Sequence, residues 1–373
     1  MVYLMDKING CINASGRMTK LGVSTQSHGV KDAMNYGASN YFLMDDLYKI
    51  SGETLASLFD APDAVITSSA SAGISLSVAA VLCKDHDAQI QKIHDSSMQD
   101  YPHEIVLPKG HNVDFGAPIQ TMIETGGGCV IEAGYANKCT QRDVELCINK
   151  KTAALMYVKS SHCVQKDMLS LEEMLDIARQ FKKPLILDCA AEIDFTSFTK
   201  MGIDYVIYSG SKALMGPTSG FVLVQSQDDA INLRKHIYGV GRGMKIGKEN
   251  IFGLIQAAYE YTTSSQNFEV SYDDLDPFIE TLNTINGVYA QKIKDESGRD
   301  IYRAKVHFDA QILGISAHEI IHRLEKGTPQ IFTRNYDANQ GMISFDPRPL
   351  QHKNDLDIII KRIKEVLSDV EVL

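Results

Sequence analysis

The stretch DAVITSSASAGISLSVAAVLC, residues 63–83, changes its period part-way through. DAVIT (63–67) is a short apolar run with β-branched residues, the pattern of a buried strand. The small and hydroxylated residues that follow mark a turn, and the later apolar spacing is that of a helix. The same unit recurs along the chain. EIVLP (104–108), CVIEAG (129–134), AALMYV (153–158), PLILDCA (184–190), DYVIYS (204–209) and GFVLVQ (220–225) are further apolar runs with helical patterns between several of them. The clearest helix is SLEEMLDIARQF (170–181), where Ser170 and Glu173 make a capping box. Alternation of this kind specifies an α/β fold, with a mostly parallel sheet flanked by helices on both faces.

Outward from this region the pattern differs. Residues 9–30 read as an irregular, glycine-containing entry, and Val30 to Asp60 as one or two helices. The glycine-rich connection GVGRGMKIGKEN (239–250) precedes a helical IFGLIQAAYEY (251–261). Beyond about Asp274 the order becomes helix, strand RAKVHF, helix SAHEIIHRLEKG with Ser316 and Glu319 as its box, strands PQIFTR and GMISFD, and a last helix LDIIIKRIKEVL. The expected organisation is an N-terminal segment (1–45), a large domain (46–250) and a smaller C-terminal α+β domain (251–373).

Bulk properties narrow the function. The formal net charge of −10 disfavours a polyanionic partner, and no basic patch offsets it, so a small molecule is expected rather than a nucleic acid. Seven cysteines are scattered, without a Cys-x-x-Cys pair, which argues against a disulfide framework and against a zinc site. No metal site is expected. No apolar run approaches the roughly 20 residues of a membrane span, so the expectation is a soluble cytoplasmic protein.

The chemistry-bearing candidates cluster at the ends of the strands. Lys212, in YSGSKALMGPTSGFVLV (208–224), stands between small residues on a turn, where its amine can approach a planar ligand and where desolvation favours Schiff-base chemistry. A solvated lysine in a polar turn is the alternative for this motif alone. Asp188 ends the run PLIL, at the sheet edge where open α/β folds bind ligands, 24 residues before Lys212. As a pair they match pyridoxal phosphate, the carboxylate keeping the pyridine nitrogen protonated. Ser69, Ala70 and Ser71, at a strand-to-helix turn, are candidates for the cofactor phosphate, with Ser209 and Ser211 adding hydroxyls. Ordinary N-capping by Ser68 or Ser69 is the competing reading. His111, after EIVLP, is a candidate to stack on a cofactor ring or to act as a base, with a structural histidine as the competing reading. His86, His94, His318 and His322 show no metal-like pattern. For substrate anions the candidates are Arg17, Arg242 with Lys245 and Lys248, and Arg348.

In this order, INASGRMTKLGVS, VITSSASAGISLSVAA, PKGHNVDFGAPIQTMIETGG, LILDCAAE and YSGSKALMGPTSGFVLV resemble fold-type-I pyridoxal-phosphate enzymes, in particular the group related to bacterial selenocysteine synthase. The resemblance spans nearly the whole chain and implies the fold-type-I PLP-dependent transferase fold, pyridoxal 5′-phosphate as cofactor, Lys212 as its anchor, and a homodimer or higher homo-oligomer. The chain opens almost at the group's catalytic core, so a tRNA-gripping N-terminal domain is expected to be missing. The forms INASGRMTKLG, KGH and LDCAAE are more similar to the ammonia-lyase branch acting on D-glucosaminate 6-phosphate, although SSASAG departs from its cup at Ser69. This implies a lyase that takes ammonia from a phosphorylated 2-amino-3-hydroxy sugar acid and leaves a 2-keto-3-deoxy acid. The competing expectations are a transferase on aminoacyl-tRNA, a general β-eliminating lyase or aldolase on amino acids, and a degenerate cofactor-binding scaffold.

Overall fold

A computed structural model describes residues 7–84, 87–95, 97, 100–263, 268–295 and 298–370. His86 lies outside them. The chain divides into two compact units, one of Gln26–Ser264 and one joining Met1–Thr25 to Ser265–Leu373. The first strand, β1 (Cys11–Ala14), belongs to the second of these.

In the larger unit, seven strands form one sheet: β2 (Asp63–Thr67), β3 (Glu104–Pro108), β4 (Cys129–Ala133), β5 (Thr152–Val158), β6 (Leu185–Asp188), β7 (Tyr205–Ser209) and β8 (Gly220–Val224). Their order is β2-β8-β7-β6-β5-β3-β4, and only β8 runs antiparallel to its neighbours. The unit's helices are α1 (His28–Ser39), α2 (Met44–Leu58), α3 (Ala70–Leu82), α4 (Ile119–Thr125), α5 (Gln141–Cys147), α6 (Leu171–Phe181), α7 (Ser197–Lys200), α8 (Gln227–Lys235) and α9 (Lys248–Thr263). The strands read as continuous apolar runs because both faces are covered: Leu185 and Leu187 enter one core, Ile186 the other. Helix α3 is buried along nearly its whole length. It lies close to the sheet because Gly73 has no side chain; a Cβ there would stand 2.9 Å from Ile207 Cγ2. The box at Ser170 and Glu173 forms in both directions.

The smaller unit pairs β1 in parallel with β11 (Gln330–Thr333) and builds a three-stranded antiparallel sheet from β9 (Val288–Lys294), β10 (Tyr302–Phe308) and β12 (Met342–Phe345). Helices α10 (Leu275–Asn283), α11 (Ala310–Leu313), α12 (Ala317–Lys326) and α13 (Asn354–Ser368) complete it.

Three expectations change. The boundary falls after α9, not at 250/251, because α9 stays with the larger unit: Lys248 Nζ at its start donates to the carbonyls of Gly37 and Ala38 in α1. The first residues are no separate segment, because β1 hydrogen-bonds β11. At α12 the Ser316 hydroxyl accepts from the Glu319 N–H, but the Glu319 carboxylate turns to Arg323 at 2.8 Å, so the box closes in one direction only. Strand β9 was not legible because VYAQKIK exposes polar residues along much of its length.

Candidate active site

The parallel strands β5, β6 and β7 end on one edge, in register through Val158, Asp188 and Ile207. Residues that follow these ends are brought together although they are distant in sequence. Asp188 is the last residue of β6 and is buried, 8% exposed. Its Oδ1 accepts from the Ala190 N–H at 3.0 Å. Burial raises its pKa above the ordinary carboxylate value, and the Ala190 N–H and the charge of Lys212 offset this only in part.

Lys212 follows the end of β7 in a turn (210–214) and is half-buried. The turn is closed at its base by Gly210 N–H to Ser219 O and by Gly216 N–H to Gly210 O, both 2.9 Å. A Cβ at Gly210 would come within 2.3 Å of Ser219 Oγ, so glycine is needed for that closure. Ser209 and Ser211, on either side of it, have hydroxyls 3.2 Å apart.

The small-residue turn at 67–73 reaches the same edge across β8, since Gly220 stands in register with Thr67 on one side and Ser209 on the other. A Cβ on Gly220 would lie 2.5 Å from Ala70 N and 2.3 Å from the Ser69 carbonyl carbon, so this glycine lets the start of α3 approach the strand. Ser69 caps α3: its hydroxyl accepts from the Ala72 N–H at 3.0 Å. Its oxygen therefore serves the helix, in agreement with the competing reading, while its O–H proton can still be donated. The N–H groups of Ala70 and Ser71, in the first turn, have no acceptor within the helix.

His111 ends the short 3-10 turn after β3 and is 2% exposed. Burial lowers its pKa to about 4, so the ring is neutral at pH 7. The Val158 N–H points at Nδ1 from 3.4 Å, and Tyr157 packs edge-on at 4.4 Å between ring centroids. Tyr157 was not anticipated, because within the continuous apolar run AALMYV it looks like any residue of a buried strand. Cys163, in the loop after β5, feels the charge of Asp188, and burial pushes its thiol up to about 12.

The basic candidates are divided. Arg242 and Lys245 are exposed in the larger unit, Arg242 within a 3-10 stretch (Val240–Met244). Lys248 holds the end of α1 through its two carbonyl contacts, so its expected role with a substrate anion is replaced by a structural one. Arg17 and Arg348 are in the smaller unit. Arg348 does not offer an open fork: its Nε and a terminal nitrogen donate to Asp346 at 2.9 and 2.6 Å. Arg17 lies over the Phe268 ring at 5.4 Å.

The edge fits pyridoxal 5′-phosphate. A buried carboxylate left under-compensated suits a protonated ring nitrogen, and first-turn amides with three serine hydroxyls suit a phosphate dianion. Among the described residues, no group of three or more His, Cys, Asp or Glu is placed to hold a metal ion, and no helix is long and apolar enough to cross a membrane.

The chain is similar to known proteins over nearly its whole length. Residues 45–270 match the family described as SelA: L-seryl-tRNA selenium transferase. A D-glucosaminate-6-phosphate ammonia lyase of Salmonella typhimurium (strain 14028s / SGSC 2262) is 40% identical over 98% of this chain and 97% of its own length. A 5′-C-glycyluridine monooxygenase-decarboxylase of Streptomyces sp is 34% identical over 96% of this chain and 90% of its own. A solved D-glucosaminate-6-phosphate ammonia-lyase structure superposes with a TM-score of 0.90 at 38% identity, covering 100% of this chain and 99% of that one.

Proposed function

The chain belongs to the SelA family of pyridoxal-phosphate enzymes, and on that premise we propose that it is a lyase releasing ammonia from D-glucosaminate 6-phosphate or a close phosphorylated 2-amino-3-hydroxy acid. The observation that carries the reading is the pairing of buried Asp188 with Lys212 at one sheet edge, in a chain similar end to end to an ammonia lyase. The reaction removes the amine and the neighbouring hydroxyl as ammonia and water; a water re-enters at the amine-bearing carbon, giving a 2-keto-3-deoxy acid phosphate.

When bound, the cofactor supplies an electron sink for the charge left as the amine-bearing carbon loses its proton. Asp188 holds a proton at the ring nitrogen, and its burial makes that pairing strong. Lys212 would anchor the cofactor through its Nζ, and the same amine, when free, would take the carbon-bound proton. The Ala70 and Ser71 N–H groups, with the hydroxyls of Ser69, Ser209 and Ser211, hold the phosphate. His111 is assigned to packing and hydrogen-bond donation: with Val158 N–H at Nδ1 its proton sits on Nε2, so it presents an N–H where a base needs a lone pair. Arg242 and Lys245 are proposed for the substrate phosphate, and Arg17 and the remaining donors of Arg348 for its carboxylate. The protein is further proposed to act in the cytoplasm as a homodimer or higher homo-oligomer, without a nucleic-acid partner.

The test is ammonia release by the purified holoenzyme. Release from D-glucosaminate 6-phosphate, absent in Lys212→Ala, is expected. No release from the sugar acid, with turnover of serine or threonine derivatives, would replace this reading by a general β-eliminating lyase or aldolase. The monooxygenase-decarboxylase relative, similar over 96% of the chain, makes an oxygen-consumption control part of the same assay.

A further inference from the structure

Away from the sheet edge, Asn232 and His236 stand four residues apart, on α8 and on the 3-10 turn (His236–Tyr238) that continues it, so their side chains share one face. Both are buried, 6% and 0% exposed. The face packs on α3 and its C-terminal end: Lys84 Nζ lies 3.4 Å from Asp229, and Asn232 Nδ2 donates to Ala80 O at 2.8 Å. A turn further along, a Cβ on Gly241 would fall 2.7 Å from His236 O and 2.9 Å from Leu76 Cδ2, so α3, His236 and the glycine-rich connection converge. Among the described residues, Asn232 Oδ1 and both ring nitrogens of His236 meet no hydrogen-bond partner, and neither does Ser77 Oγ, three residues before Ala80 on α3.

Buried polar atoms in folded proteins are almost always paired, with protein or with ordered water. Asn232 cannot turn its amide to satisfy His236 without giving up the bond to Ala80 O. The neutral imidazole offers one N–H and one lone pair, and Oδ1 offers only lone pairs. A cation would meet the N–H, and an anion would meet two acceptors; a molecule that both donates and accepts suits Asn232 Oδ1 together with either ring nitrogen. We propose that an internal water is bound between α8 and α3, donating to Asn232 Oδ1 and bonded to a His236 nitrogen. It fastens the connection that carries Arg242 and Lys245 to the helix whose first turn lies at the sheet edge.

A high-resolution crystal structure of the holoenzyme decides this. A solvent peak within about 3.2 Å of both Asn232 Oδ1 and a His236 nitrogen is expected. Its loss is expected in Asn232→Leu, with the His236 ring otherwise in place. A direct Asn232–His236 hydrogen bond, or no density between the two side chains, overturns the proposal. The wild-type map is sufficient if the variant does not fold.

Discussion

Two aspartates, each buried within its own unit, end in opposite electrostatic states. Asp188 closes β6 with one backbone N–H on its carboxylate and the charge of Lys212 nearby, and burial wins: its pKa is raised. Asp346 follows β12 and is fully buried, so burial pushes its carboxyl up as well. Arg348 and Arg303 more than reverse this, with Arg348 forked onto both oxygens and Arg303 Nε at 3.0 Å, and hold it well below the usual range. Arg303 is itself bonded to Asp295 at 2.7 Å, so the ions of the smaller unit satisfy one another. A saturated buried network is a structural device, whereas an under-compensated carboxylate is prepared for a charge that comes from outside the chain.

The largest test of this contrast is Lys212→Ala. Loss of the anchor and base is expected to lower kcat/KM by at least about 10⁴-fold, read as ammonia release, with the cofactor no longer trapped by borohydride. Retention of borohydride-trapped cofactor would move the anchor to another lysine. Next in size is Asp346→Asn, which leaves two buried arginines under-paired. It is expected to cost about 3–5 kcal/mol in denaturant unfolding, and a change below 1 kcal/mol would break the contrast from the structural side.

Asp188→Asn is expected to behave in the opposite way. Activity falls by about 10²–10³-fold, as for loss of one preorganised electrostatic group. Because the native pKa is raised, the ionised carboxylate disfavours the fold as pH rises above the ordinary carboxylate value. The cofactor-free variant is therefore expected to unfold at a higher temperature than the cofactor-free wild type at pH 7. A lower midpoint would show that Asp188 is as well compensated as Asp346.

A smaller effect concerns His111 and His236, both lowered to about 4 by burial, with Lys235 adding to the shift at His236 and Asp87 opposing it. Their native pKa lies below the unfolded value near 6.5, so the unfolded chain takes up protons first as pH falls. Stability is fully present above about 6.5 and is lost toward pH 4, at about 1.4 kcal/mol per pH unit for each histidine. Urea unfolding at pH 7 and pH 5 measures the slope, and His236→Leu is expected to halve this histidine part. The smallest expected change is that of His111→Phe, which keeps an aromatic ring: a loss of up to about 10-fold in kcat, with the acid limb of the pH–rate profile in place. A vanished limb would make His111 the base.

Much of this was readable from local pattern. DAVIT, EIVLP and the ends of GFVLVQ match their strands within a residue because strands buried on both faces need uninterrupted apolar residues. The Ser170 box, Asp188 at the end of its strand and Lys212 in the turn after the next were legible for the same reason: a cap, a turn and an edge are local. VYAQKIK was not, since its pairing with β10 supplies what its pattern lacks. Arg348 was legible in SFDPRPL as a candidate for a substrate carboxylate, but only the folded backbone shows that two of its donors close on Asp346, two residues earlier in that stretch.

By itself the sequence determined the succession of the buried strands of the larger unit, the residue types at the sheet edge, and the resemblance to pyridoxal-phosphate enzymes that they carry. The tertiary structure alone decided which charges are compensated. Compensation depends on desolvation and on partners: for Asp346 these include Arg303, 43 residues away in sequence, and for Asp188 the crossover that returns Lys212 to its side. Composition and spacing contain neither distance, so two aspartates of equal appearance in the chain become a closed ion network and an open site.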